Sequence, residues 1–237
     1  MSLVDHLLEL RKRLLISLGA VLGGFLICWG VSEHIFHLLT RPLTHVLGDQ
    51  GHMIFTAPHE AFMTYLKVAA IAGLLVASPV ILWQIWRFVA PGLYLKEKTY
   101  FAAVVMVGTF FFVGGALFGY FVVFPIGFEY FIDTFQTPEI VAMITLKEYL
   151  SFATSLLIAF GVTFESPVFI FFLARIGLVT PQWLWKNFRY AVLIIFVVAA
   201  IFTPADALSQ MALAVPLTVL YLLATGLAYL VGKKKAA

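Results

Sequence analysis

Glu165 is an acid where apolar sequence should have none. It stands in Phe164-Glu165-Ser166-Pro167, inside Tyr149–Ala174, a stretch otherwise free of charge. An ionisable group at bilayer depth costs about 2.5–3.5 kcal/mol on insertion scales, so it should face protein, water or a partner. Two readings stay open at this point. One is a partner or substrate contact, or a proton relay; the other is a protonated or hydrogen-bonded structural carboxyl. Pro167 removes a backbone donor two residues later and frees a carbonyl one turn earlier, which would draw polar groups or water toward Glu165. Asp206 and Gln210 lie a helical turn apart. Asp206, after Pro204-Ala205, is placed to cap a helix, and Gln210 to bond a neighbouring helix or a partner. Glu9 and Arg13 are spaced as an i, i+4 ion pair, which stabilises a helix by a few tenths of a kcal/mol. Glu97, between Lys96 and Lys98, reads on composition as a solvated acid. Five of the six histidines fall in residues 33–60, but their spacing matches no zinc pattern, so neither metal nor cofactor is expected. Phosphate-loop, nucleophile-elbow and metalloprotease motifs are missing, and no enzyme activity is expected.

The elements that must hold these residues are membrane helices. Hydrophobic residues make up 62% of the 237 and charged residues 11%, against about 45–50% and 25% in soluble domains. That excludes a soluble globule, a disordered chain and, with Cys28 as the single cysteine, a disulfide scaffold. Uncharged runs long enough to cross about 30 Å of hydrocarbon predict an all-α polytopic protein. It forms one integral membrane domain over residues 1–237, with six transmembrane helices at about 14–32, 62–88, 99–125, 149–174, 189–204 and 207–231. The fifth is short, with only 16 uncharged residues in Tyr190–Ala205, so the bilayer should thin beside it or neighbouring helices should shield it.

Twelve of the 15 lysines and arginines fall at the two ends of the chain and in the loops after helices 2 and 4, leaving Arg41, Lys67 and Lys147 for the other face. By the positive-inside rule both termini are cytoplasmic. Residues 33–60 then form a first outer loop broken at Arg41-Pro42 and Ala57-Pro58, with an interfacial stretch at Glu33, His34 and His37, and residues 126–148 form a second. An open, water-penetrated concavity is expected around Glu165. The basic balance is loop charge, and nucleic acid is not implied.

Several stretches together resemble the TatC family of the twin-arginine (Sec-independent) protein translocase. They are His6-Leu-Leu-Glu-Leu-Arg-Lys-Arg-Leu14, Ser78-Pro-Val-Ile-Leu-Trp-Gln-Ile-Trp-Arg-Phe88, and Ala90-Pro-Gly-Leu-Tyr94 with Glu97 after it. Gly119-Tyr-Phe-Val-Val-Phe-Pro125, Ala159-Phe-Gly-Val-Thr-Phe-Glu-Ser-Pro167 and Thr203-Pro-Ala-Asp-Ala-Leu-Ser-Gln210 complete the set, in order along the chain. The resemblance implies a concave, glove-like bundle in the cell (inner) membrane that binds twin-arginine signal peptides of folded cargo and supports export driven by the proton motive force. It implies that Glu9 and Glu97 receive the arginines, surrounded by Arg11, Arg13, Phe88, Leu93 and Tyr94. Pro42 matches a structural proline of the first outer loop, and Glu165, Asp206 and Gln210 match intramembrane or partner-facing polar positions. Implied partners are TatA- and TatB-type single-span proteins docking near helices 5 and 6, membrane lipid, and further copies of the chain in the full complex. The alternative from the residues alone is a secondary transporter or proton-coupled exchanger using Glu165. It lacks a visible internal repeat and a second intramembrane charge.

Overall fold

The computed structural model describes residues 3–47, 53–89, 98–135, 143–175, 177–203 and 206–231. Its helices are α1 (Leu3–Trp29), α2 (Ser32–Leu47), α3 (Glu60–Val89), α4 (Lys98–Phe118), α5 (Phe124–Phe135), α6 (Leu146–Phe164), α7 (Ser166–Arg175), α8 (Pro181–Lys186), α9 (Phe188–Phe202) and α10 (Ala207–Val231). Among the described residues the only strand-like feature is an isolated parallel bridge, Ile54 with Thr145. Among the described residues five stretches are long and apolar enough to span a membrane: Val4–Trp29, Glu60–Val89, Ala102–Ile132, Leu146–Arg175 and Ala207–Tyr229. The sixth is α9, at 15 residues or about 22 Å, the short span expected.

Two expected loops are helical instead. The first outer loop carries α2, and Arg41-Pro42 does not break it. Pro42 costs a helix about 3 kcal/mol. Against that, α2 packs on α3 and buries Leu43 completely, which returns about 1.5–3 kcal/mol per such side chain. Thr40 is buried beside it and donates to the Phe36 and His37 carbonyls, and Tyr149 Oη donates to the Leu39 carbonyl at 2.5 Å. Residues 126–135 of the second outer loop continue the third span as α5, by way of a π-helical turn at Gly119–Val123. Phe124 N–H reaches back to the Gly119 carbonyl across that turn. The widened turn directly precedes Pro125, whose ring cannot donate, so the helix passes the proline by changing its hydrogen-bond register rather than ending.

The chain divides into two compact units. One comprises Met1–Val113 with Val141–Thr154, the other Gly114–Ile140 with Ser155–Ala237. In the first, α1 lies along α3 with the backbones in contact. A Cβ built on Gly24 would sit 2.5 Å from the Gly73 carbonyl oxygen, and one on Gly73 would sit 2.5 Å from Phe25 N. Only glycine at both positions allows that approach, and close backbone packing is what associates helices in lipid. Pro79 interrupts α3 and cannot donate to the Leu75 carbonyl. Ser78 Oγ takes that acceptor at 2.7 Å, so no backbone group is stranded in apolar surroundings.

In the second unit α10 packs on α7, α8 and α9. Ala174, Leu184 and Ala228 form a small core flanked by Ile170, Val179 and Tyr221, and Tyr221 Oη donates to the Leu184 carbonyl at 2.9 Å. Gly115 lies against the Phe160 carbonyl and Phe164 ring with no room for a Cβ. Phe118 packs on both rings, at 5.6 and 5.4 Å between centroids.

Candidate functional site

The end of unit 1 where α1 begins and α3 finishes gathers most of the described residues matched to signal-peptide binding. Because α1 starts at Leu3, residues 3–13 are a helical extension of the first span rather than a separate segment. Glu9 and Arg13 therefore share one face. Arg13 grips Glu9 Oε1 with both Nη2 and Nε, the latter at 3.1 Å. Its Nη1 donates to Gln84 Oε1 of α3 at 3.3 Å. The His6 ring stacks on Phe88 with centroids 4.5 Å apart. Arg13 thus clasps α1 to α3 while holding the Glu9 carboxylate in place. Glu9 Oε2 has no hydrogen-bond partner among the described residues, and the side chain stays 23% exposed. Arg11 is fully on the surface. Leu93, Tyr94 and Glu97 lie outside the described residues, as do Pro91 and Gly92.

This arrangement can do one thing well. A carboxylate fixed by a neighbouring guanidinium, with one oxygen open, is preorganised to accept a second guanidinium. Gln84 was the residue missing from the sequence reading of this site. Its signal was an amide in otherwise apolar Trp83-Gln84-Ile85-Trp86, and it is 9% exposed.

Glu165 interrupts the fourth span, so α6 and α7 are separate helices with a turn between them. Its N–H bonds to the Val162 carbonyl at 3.2 Å and its carbonyl accepts from Phe169. The side chain is 4% exposed, and among the described residues neither carboxylate oxygen has a hydrogen-bond partner. The expected open concavity is therefore not what this side chain meets.

Asp206 caps α10, its Oδ1 accepting from Ser209 N–H at 2.7 Å, while Oδ2 is buried without a hydrogen bond. Gln210 Nε2 donates to the Phe196 carbonyl at 3.0 Å, tying α10 to α9. Both residues thus do structural work, of the two kinds their positions allowed. Pro42 is half-buried within α2.

At the opposite end of α3 lies a feature the sequence reading missed. Glu60 is 6% exposed. Its Oε2 accepts from Thr56 N at 2.7 Å, Thr56 Oγ1 at 3.1 Å and Ala57 N at 3.3 Å, and its Oε1 accepts from Lys147 N at 2.8 Å. With the Ile54 bonds to Ile144 and Leu146 beside it, one carboxylate staples the segment before α3 to the start of α6. Only its place as the last acid before an apolar run marked it out. Among the described residues no three His, Cys, Asp or Glu side chains converge as a metal site would require.

Residues 5–216 match the model of the Sec-independent protein translocase protein family, TatC. A Desulforapulum autotrophicum protein described as Sec-independent protein translocase protein TatC is 47% identical, covering 98% of this chain and 85% of its own. A Magnetococcus marinus protein of the same description is 45% identical over 92% of this chain and 80% of its own. The crystal structure of a twin arginine translocase receptor, TatC, superposes with a TM-score of 0.83 at 35% identity, covering 95% of this chain and 99% of that one.

Proposed function

The chain belongs to the TatC family of Sec-independent protein translocase proteins, and on that premise we propose that the α1–α3 end of unit 1 is where it receives a twin-arginine signal peptide. The observation that carries this is Glu9, held by Arg13 with one oxygen open, on a clasp that includes Gln84 and stacked His6 and Phe88. Glu97 follows Phe88 by nine residues and supplies the second carboxylate. A guanidinium presents a planar fork of N–H donors: one can pair with both oxygens of Glu97 and another can address the open oxygen of Glu9 in a fixed direction, so the two carboxylates select two arginines over two lysines. Arg11 and Arg13 keep the surrounding field from accepting any basic peptide. Phe88, Leu93 and Tyr94 contact the residues flanking the arginines.

In this reading both termini face the cytoplasm of a bacterial inner membrane, in line with the distribution of lysine and arginine. TatA- and TatB-type single-span partners dock on α9 and α10. Leu193, Ile194, Val197 and Ile201 of α9 support this, since they form an exposed stripe at helical spacing. Glu165 and Asp206 each keep a buried carboxylate oxygen without a hydrogen bond among the described residues, so partners or transiting cargo would engage them only as the helices around them part, and several copies of the chain assemble in the working complex. The proton motive force supplies the energy, and the chain itself performs no covalent step.

The test is peptide binding to the purified protein in nanodiscs. A twin-arginine peptide should bind at least about tenfold more tightly than its twin-lysine counterpart, as expected for loss of a charge-assisted pair worth about 1.5–3 kcal/mol. Glu9→Gln combined with Glu97→Gln should erase the difference. Equal affinity of the double variant and the parent would refute the assignment.

A further inference from the structure

The Glu60 end of α3 has a second property, independent of signal-peptide recognition. A cavity of about 370 Å³ opens there, lined by Thr56, His59, Glu60, Met63, Lys67 and Lys147 among others. Lys67 and Lys147 are two of the three basic residues that the charge pattern leaves for this side of the chain. Both are exposed, and neither ammonium group has an ion-pair or hydrogen-bond partner among the described residues. The carboxylate between them does not neutralise both: Glu60 is already spent on four donors, none of them an ammonium. The cleft therefore keeps a net positive charge.

Its depth identifies what would fill it. Helix α3 has 30 residues, about 45 Å, against a hydrocarbon core of about 30 Å. The charge-free run of α3 begins only at Val68, which leaves its first two turns for the headgroup layer. Lys67 lies seven residues past Glu60, about 10 Å along the axis, at the border of headgroup and hydrocarbon. Met63 and Leu150 give the cavity apolar wall next to its cations, which suits an amphiphile better than a free ion. Paired cations beside an apolar wall meet the charge of an anionic head group while its chains keep to the hydrocarbon.

We infer that this cleft is a binding site for the phosphodiester head of an anionic phospholipid, with Lys67 and Lys147 as the paired cations and its acyl chains running down the apolar flank of α3. The lipid seats against the staple that joins the segment before α3 to α6. It thus completes that end of unit 1.

Native mass spectrometry of the purified chain, titrated with dioleoyl phosphatidylglycerol and with dioleoyl phosphatidylcholine, tests the site. The parent should retain the anionic lipid with about tenfold preference, and Lys67→Gln with Lys147→Gln should reduce the preference to parity. Lys147 serves the staple through its backbone N–H, so Lys147→Gln leaves the staple intact. It is read alone if the double variant does not purify as a single species, and should then lose about half of the preference on a logarithmic scale. Undiminished preference in the variant that is read overturns the site. In a parallel arm, millimolar inorganic phosphate should not displace the lipid. If it does so at concentrations comparable to the lipid, the cleft is a free-anion site and the lipid assignment falls.

Discussion

Replacing Glu165 by leucine should stabilise the protein while impairing export. The carboxyl is 4% exposed, and neither oxygen meets a hydrogen-bonding group of the described residues. A buried polar group left in that state costs about 1–3 kcal/mol, and an apolar replacement of similar shape recovers the cost. Leucine comes close to the glutamate volume, so the cavity penalty is small. At about 2–4 °C per kcal/mol for a chain of this length, the melting temperature should rise by roughly 2–12 °C. Alanine recovers the same polar cost but forfeits one methylene at about 0.8 kcal/mol and leaves a cavity where the carboxyl stood, so Glu165→Ala should fall near the parent. Glu165→Gln keeps a polar head in the same place and should change little.

The protein supplies its own reporter for this measurement. Cys28 is the only cysteine and is 4% exposed, so a thiol-reactive dye becomes fluorescent only as the detergent-solubilised chain unfolds. A lower melting temperature for Glu165→Leu would refute the reasoning, because it would mean that the carboxyl is satisfied in the native protein. Export of a twin-arginine cargo in cells is the second readout. A stabilised variant that no longer exports, yet binds signal peptide normally, is what a group retained for function at a cost in stability should give.

Glu60→Ala should cost about 3 kcal/mol, since it strands backbone donors that are expensive to leave unmade. Hydrogen exchange should accelerate at Thr56, Ala57 and Lys147, and unchanged protection would show that the staple is not Glu60. Gly73→Ala forces a Cβ to 2.5 Å from backbone that cannot move aside, so it should lose about 3 kcal/mol or fail to fold. Gly19→Ala, with nothing within 4 Å, should be neutral or slightly stabilising on the same thiol assay; equal effects at the two positions would contradict the α1–α3 contact. Reporter fusions after residues 48, 136 and 206 should read external and those after 95, 182 and 235 internal, and one reversed fusion would overturn the count of six spans.

The spans were legible in the sequence because hydrocarbon imposes its own arithmetic. A run of charge-free residues either crosses or must be hidden, and the short fifth span showed itself by its length alone. The pair Glu9–Arg13 was legible for a similar reason, since i, i+4 spacing needs no tertiary knowledge. Pro42 misled because the cost of a proline is local and the reward of burying Leu43 is not. The third span, expected to end at about 125, runs on as α5, since a change of hydrogen-bond register leaves no compositional trace. Gln84 and Glu60 were each visible as polar residues, but their partners lie 71 and 87 residues away in sequence. Spacing carries no information about such pairs. Glu165 was conspicuous as an acid, whereas its seclusion depended on how the broken helix packs.

The meeting of Gly24 with Gly73 is one tooth of a seam rather than an isolated touch. Trp29 meets Phe62 at one end of the α1–α3 pair and His6 stacks on Phe88 at the other, with Gly24–Gly73 and Arg13–Gln84 between them. The pairs run in opposite senses along the two helices, so the seam is antiparallel and has one register. A Cβ at either glycine would part the backbones and disturb every pair along that seam. The hydrogen bond from Arg13 to Gln84 lies eleven residues from Gly24, about 16 Å along the axis, yet its length is set by two hydrogen atoms in the middle of the membrane.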